Sequence, residues 1–234
     1  MVQFACWVVA ALVVGMFGPM SAVAGDVFTG YQIDNKSQYF SYLGIRAPLP
    51  LTNSLVEPFV QFLGAGLGYS FKVNGQLRDA NVQFAVPALG LKMPVGDWSV
   101  LGFAGPQFRR REEENGIGGS NTFREVGAYV QGEVERWREA DTVHALLSYT
   151  DLDRFVMGRV RATQAVQTPA KGCCVLSVGW DVAGMGNKDF FSFQSGPLVQ
   201  IPIAGVYATI KGGYQYSTAF HNGAYGGFEI YFAF

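Results

Sequence analysis

Charge is scarce in this chain, and so is cysteine. Asp, Glu, Lys and Arg make up 15% of its 234 residues and balance to a net charge of −1. Ordinary soluble domains carry about 25% charged residues. A balance so near zero offers no electrostatic footprint for nucleic acid, and none is expected as a partner. Of the three Cys, Cys6 lies near the start, and Cys173 and Cys174 are adjacent to each other. Neighbours on a strand face opposite sides, so this pair reads as two thiols and not as a disulfide framework. It lacks C-x-x-C spacing and a nearby His, so neither a metal nor another cofactor is expected. Beyond residue 24 no apolar run is long enough to cross a bilayer as a helix, which takes about 20 residues.

The exception to that last absence is at the start. Residues 7–19 (WVVAALVVGMFGP) are apolar, and Ser21-Ala22-Val23-Ala24 follows with small residues at Ala22 and Ala24. This is the pattern of a signal peptide, with cleavage expected after Ala24. The run lacks a preceding Lys or Arg, a departure from the usual pattern, and it is short for a retained anchor. Cys6 precedes the run, which argues against a lipoprotein site. The expected division is therefore a signal peptide over 1–24 and one domain over 25–234.

What the chain does have is aromatic residues, at 15%, and 30 Gly. Such a chain must place its apolar surface either in a β-rich core or against lipid. Alternation decides between them. In the last seven residues Phe228, Ile230, Phe232 and Phe234 share one face, opposite Glu229, Tyr231 and Ala233. Residues 125–135 set Val126, Ala128, Val130 and Val134 against Glu125, Tyr129, Gln131, Glu133 and Glu135. Residues 155–163 set Val156, Val160 and Ala162 against Arg159, Arg161 and Thr163. The polar faces are too charged for a protein core but suit a wet lumen. In hydrocarbon every backbone polar group must be paired, so such strands have to close into a ring. The reading is an all-β, antiparallel transmembrane barrel of about twelve strands, in the outer membrane of a Gram-negative bacterium. A final strand ending in Phe fits the signal read by barrel-assembly machinery, and outer-membrane lipid and lipopolysaccharide are the expected surroundings.

Turn signals place the strands near 27–34, 37–47, 55–73, 76–92, 97–111, 122–137, 142–150, 154–166, 173–181, 189–200, 204–217 and 222–234. Asn74-Gly75 and Asn222-Gly223 are hairpin dipeptides. Short connections are expected at 48–54, 93–96, 138–141 and 167–172, and the longest polar one at 112–121. An even strand number puts both termini in the periplasm and that loop outside. Pro58, Pro87, Pro106 and Pro197 fall inside these strands, where a missing amide donor calls for bulges or strand ends.

Catalytic signatures are weak. His144 and Ser148 share a strand face but lie four residues apart, roughly 13 Å at about 3.3 Å per residue. No Ser sits in a G-x-S-x-G elbow. His221 reads as a solvated loop residue in an outer hairpin. Gly184-x-Gly186 reads as a loop that precedes no helix, so it is not a nucleotide-binding turn. No enzyme is expected. Arg109, Arg110 and Arg111 are expected in the outer loop, either against lipopolysaccharide phosphates or neutralised by Glu112–Glu114. Glu133, Glu135, Arg159 and Arg161 are expected to face the lumen with only one strand between their carriers. They either line a narrow polar channel or saccharide-sized cavity, or form a salt-bridged plug. Trp98, Trp137 and Trp180, with Tyr214 and Tyr216, fall near strand ends and read as a girdle at the headgroup level, with sugar stacking as the functional alternative.

Residues 127–163 (GAYVQGEVERWREADTVHALLSYTDLDRFVMGRVRAT), residues 205–234 (GVYATIKGGYQYSTAFHNGAYGGFEIYFAF) and Gly186-Asn187 resemble the cellulose biosynthesis protein S family of outer-membrane barrels. The shared features are Gly and aromatic placements on strands. The resemblance carries no catalytic residues. It implies a non-enzymatic accessory of cellulose synthesis, export or surface organisation, with cellulose or its secretion components as partners. A small porin-like barrel and a lipid A-modifying barrel enzyme are the competing readings.

Overall fold

A computed structural model describes residues 25–49, 55–73, 75–114, 119–138, 140–166, 176–203 and 205–234. Residues 1–24, where the signal peptide is expected, the Cys173-Cys174 pair, Asn74 and the centre of the 112–121 connection lie outside the described residues.

Twelve strands follow one another: β1 (Asp26–Asp34), β2 (Tyr39–Pro48), β3 (Glu57–Val73), β4 (Gln76–Val95), β5 (Trp98–Glu114), β6 (Ser120–Trp137), β7 (Asp141–Thr150), β8 (Phe155–Val166), β9 (Leu176–Gly186), β10 (Phe191–Ile203), β11 (Val206–Ser217) and β12 (His221–Ala233). Each pairs antiparallel with its sequence neighbours, and β1 closes the barrel against β12 in a register running from Asp26 opposite Ala233 to Asp34 opposite Tyr225. The seam is sealed at its end by two backbone bonds, Gly25 N–H to the Phe234 carbonyl (2.7 Å) and Phe234 N–H to the Gly25 carbonyl (2.8 Å). Closure leaves no edge strand, the condition for β-structure in hydrocarbon.

The usual inside-out order of a soluble protein is inverted along these strands. Phe228, Ile230 and Phe232 are exposed on the outside, as are Val126, Val160, Leu147 and Ile210, while Glu229, Glu133 and Arg159 are buried within. One sector of the interior is nonetheless dry. Phe59, Val86, Ala88, Leu101, Phe103 and Tyr129 pack together behind β3–β6.

Pro87, Pro106 and Pro197 face gaps in a ladder, and Pro58 is the second residue of β3. Between β4 and β5 pairing stops after Ala85–Phe108 and resumes at Leu89–Ala104, so Pro87 and Pro106 sit opposite each other where no amide donor is required. Gly105 lets the two backbones close there, because a Cβ on it would lie 2.0 Å from the Pro87 carbonyl oxygen.

Several expectations need correction. The 93–96 connection is shorter, since β4 continues to Val95. Arg109, Arg110 and Arg111 belong to β5 and not to a loop; Glu112, Glu113 and Glu114 pair with Thr122, Asn121 and Ser120 of β6. Period-two side chains explain it. Arg110 meets Glu112 on one face and Arg111 meets Glu113 on the other, so the charge run neutralises itself as a strand. Gly184 and Gly186 likewise lie in β9, which runs five residues beyond its expected end. Close backbone approach is the reason at Gly186, where a Cβ would meet the Phe190 carbonyl oxygen at 2.4 Å. His221 opens β12, with its ring 6.0 Å from that of Tyr216.

Candidate functional site

The lumen holds much of the polar chemistry, and among the described residues three groups of charges span it. The first lies toward the mouth where Gly25 and Phe234 meet. Arg46 on β2 reaches across to Glu133 on β6 (2.9 Å), and the other Glu133 oxygen lies 3.2 Å from His144 Nε2 on β7. Arg46 also donates to Gln61 and lies over the rings of Phe59 and Phe28 at 5.2 and 5.7 Å. Beside it, Glu135 accepts from Lys92 Nζ on β4 (3.1 Å) and from Trp137 Nε1 (3.2 Å).

The second group crosses from β8 to β12. Arg159 Nε donates to both oxygens of Asp181 on β9 (3.1 and 3.0 Å), and its Nη2 donates to Glu229 (2.6 Å). Arg161 bonds the same two carboxylates at 3.0 and 2.6 Å, and Lys211 Nζ on β11 reaches Glu229 at 2.9 Å. Asp181 is only 1% exposed. Three cations thus share two carboxylates. Charges taken this far from water persist only when paired and hydrogen-bonded.

The third group closes the opposite mouth. Asp153, in the turn after β7, accepts from Arg109 (2.8 Å) and Arg111 (2.9 Å), and Arg109 also bonds Glu125 (2.6 Å). A run of amides continues the packing on the β1 side: Gln32 donates to Gln194, Gln194 to Gln215, and Gln215 to Asp34. Between these groups there remains a cavity of about 220 Å³, which touches Tyr42, Tyr129, Glu133, His144 and Arg159. Ligand clefts are ordinarily about 300–1,000 Å³.

Glu133, Glu135, Arg159 and Arg161 all point inward, but they do not pair with one another. Their charged partners are Arg46, His144, Lys92, Asp181 and Glu229. Asp181 and Lys211 lie on strands whose alternation was readable. What the sequence withheld was which inward charges meet across the ring. Of the arginine triplet, Arg109 and Arg111 turn inward to Glu125, Asp153 and Glu113, while Arg110 stays outside with Glu112. Glu133, Glu135 and His144 bring ligand-type atoms within 4.8 Å of one another, yet each carboxylate there already faces a cation. His144 faces Glu133 and not Ser148.

The aromatic residues divide. Trp98 lies under the Arg136 guanidinium (4.9 Å), Trp180 is exposed on the outside, and Tyr214 donates to Asn222, all on the outer surface as a girdle requires. Trp137 does not belong with them. It shares the inward face with Glu133 and Glu135, its ring stacks on Tyr231 (5.3 Å), and Tyr207 tilts against it (6.0 Å).

Similar architecture occurs in the translocator domain of the autotransporter NalP from Neisseria meningitidis, at TM-score 0.50 and 13% identity over 100% of this chain and 95% of that one. LpxR from Salmonella typhimurium gives 0.49 and 11% over 89% of this chain and 100% of its own. The β domain of the Bordetella autotransporter BrkA gives 0.47 and 14% over 91% and 99%. These identities speak to the fold alone. No curated protein matches the chain significantly. The model of the family described as cellulose biosynthesis protein BcsS matches residues 27–234, which is the whole barrel but for its first two residues and the segment before it. With that match spanning every strand from β1 to Phe234, the chain belongs to the BcsS family of cellulose biosynthesis proteins.

Proposed function

We propose that this barrel is a non-enzymatic outer-membrane accessory of bacterial cellulose biosynthesis, acting in export or surface organisation of the polymer without conducting it. The observation that carries this reading is the pair of struts across the lumen, Arg46–Glu133 and Arg159–Glu229 with their partners. A glucan passing through would have to part buried ion pairs, whose rupture costs several kcal/mol each. The exposed apolar belt supports residence in a bilayer. An even strand number brings both ends of the barrel to one side, which this reading takes as the periplasmic one. There the aromatic face of β12 is the feature for the barrel-assembly machinery, and components of the cellulose-secretion apparatus are the partners in reach. Lipopolysaccharide surrounds the opposite rim, where Arg110 is the one arginine of the triplet still directed outward.

The test is deletion of the gene in a cellulose-producing host, with surface cellulose measured by dye binding. Loss or mislocalisation of cellulose, restored by the intact gene, is expected; unchanged cellulose overturns the reading. In planar bilayers the purified barrel should pass no steady current, and a steady current would favour a porin-like function.

A further inference from the structure

Trp137 is a tryptophan that lipid does not explain. It ends β6 on the inward face, at the mouth where Gly25 and Phe234 meet, and it is 41% exposed although it faces away from the outer, lipid-facing side. Two tyrosines from the opposite wall stand against it. Tyr231 stacks nearly parallel at 19° and 5.3 Å, Tyr207 tilts in at 6.0 Å, and the two tyrosines lie 6.2 Å apart. Both edges of this cluster are pinned. Trp137 Nε1 donates to Glu135, and the Tyr231 hydroxyl donates to Asp26 at 2.6 Å. Rings held this way lose little freedom when a ligand arrives.

The surrounding charges select the ligand class. Glu135 is neutralised by Lys92, and Asp26 lies 3.9 Å from Arg46. The platform therefore presents no uncompensated cation for a phosphate and no bare carboxylate for an amine. What it offers is a broad apolar face rimmed by hydrogen-bonding groups, Glu135 and Thr142 among those that line the cavity behind it. A pyranose ring in a β-linked glucan has the matching form, with C–H groups on its flat faces and hydroxyls around its edge. We infer that Trp137, Tyr207 and Tyr231 form a stacking platform for a β-linked glucan chain at this mouth. The inference rests on the proposed role in cellulose biosynthesis. It adds that the polymer itself touches the barrel. Because the Arg46–Glu133 strut lies just inside, the chain rests across the mouth and does not thread it.

The experiment uses the purified full-length barrel in detergent, titrated with a water-soluble β-1,4-linked glucohexaose and followed by calorimetry. The α-1,4-linked glucohexaose is the control. Binding of the β-linked sugar is expected, with loss of at least about tenfold in affinity in Trp137→Ala, retention in Trp137→Phe, and no change in Trp180→Ala on the outer surface. The heat-induced gel shift establishes that each variant is folded. If Trp137→Ala does not fold, the Tyr207→Ala and Trp137→Phe pair decides by the same criterion. No binding by the wild type, or binding unchanged in folded Trp137→Ala, overturns the platform. A deletion strain that loses surface cellulose while a Trp137→Ala strain keeps it overturns the platform and leaves the accessory role standing. Cellulose unchanged in both strains overturns the accessory role.

Discussion

Arg159 and Glu229 stand 70 residues apart in sequence and 2.6 Å apart across the lumen, Nη2 to Oε1. Glu229 serves Arg161 and Lys211 as well, so it offsets three cations together with Asp181. Replacing it with Gln keeps the shape but leaves those cations sharing one carboxylate. An uncompensated buried charge costs about 3–5 kcal/mol. Glu229→Gln should therefore unfold at markedly lower temperature than the wild type, read as the temperature at which the unboiled gel band shifts. A variant that shifts with the wild type would mean that water already screens this group.

The Arg46–Glu133 strut makes a different prediction, because both ends can be removed together. Arg46→Ala with Glu133→Ala leaves no orphaned charge in that pair and clears the way past Phe59 and Gln61. The double variant should pass a small steady current in planar bilayers where the wild type passes none. Silence from both would mean that the second group, around Asp181, blocks the lumen alone.

Val160 lies at the middle of β8, is 53% exposed, and points outward between Arg159 and Arg161, which point in. Moving a charge by one residue on this strand therefore moves it from lumen to lipid. Val160→Arg should destabilise insertion by about 2–4 kcal/mol, the range for a cation at the bilayer midplane. Folding yield into lipid vesicles is the readout, and an undiminished yield would place β8 away from hydrocarbon.

That one-residue rule also explains what the sequence made legible. Period-two alternation at Val156, Val160 and Ala162 or at Phe228, Ile230 and Phe232 is local, so strand number, closure and the outward face were all readable. Pairing across the ring is not local. Nothing near Glu133 in the chain names Arg46, and nothing near Arg161 names Glu229. Alternation puts Trp137 on the face of Glu133 and Glu135, but its place at a strand end made it read as girdle, and it stands inside the mouth. Glu112–Glu114 looked like the start of a loop because polarity alone cannot tell a solvated turn from a strand whose charges pair at i and i+2. Only the pairing of Glu112–Glu114 with β6 settles that.

His144 gives a test of the non-enzymatic reading. Its Nε2 lies 3.2 Å from Glu133, while Ser148, the one serine on its own strand face, lies about 13 Å along the strand at about 3.3 Å per residue. A general base must reach the proton that it takes. His144→Ala should therefore restore surface cellulose to a deletion strain as fully as the wild-type gene does. Failure of this variant, with the protein present and folded in the outer membrane, would reopen a catalytic role for the His144–Glu133 pair.

Phe234 separates two roles that coincide at the end of the chain. Its backbone closes the barrel through reciprocal bonds to Gly25, and its ring stacks on Phe232 at 6.0 Å on the outer face. Phe234→Ala keeps both backbone bonds and removes only the ring. If the ring acts chiefly in packing, the loss of one partly exposed aromatic costs little, and the purified variant should shift on heating close to the wild-type temperature. If the aromatic face of β12 is what the assembly machinery reads, the amount of barrel reaching the outer membrane should fall severalfold at equal expression. We expect the second result together with the first: near-normal heat stability of the molecules that assemble, and fewer of them. Outer-membrane levels equal to the wild type would sink the signal reading and leave the terminal aromatic as a girdle residue alone.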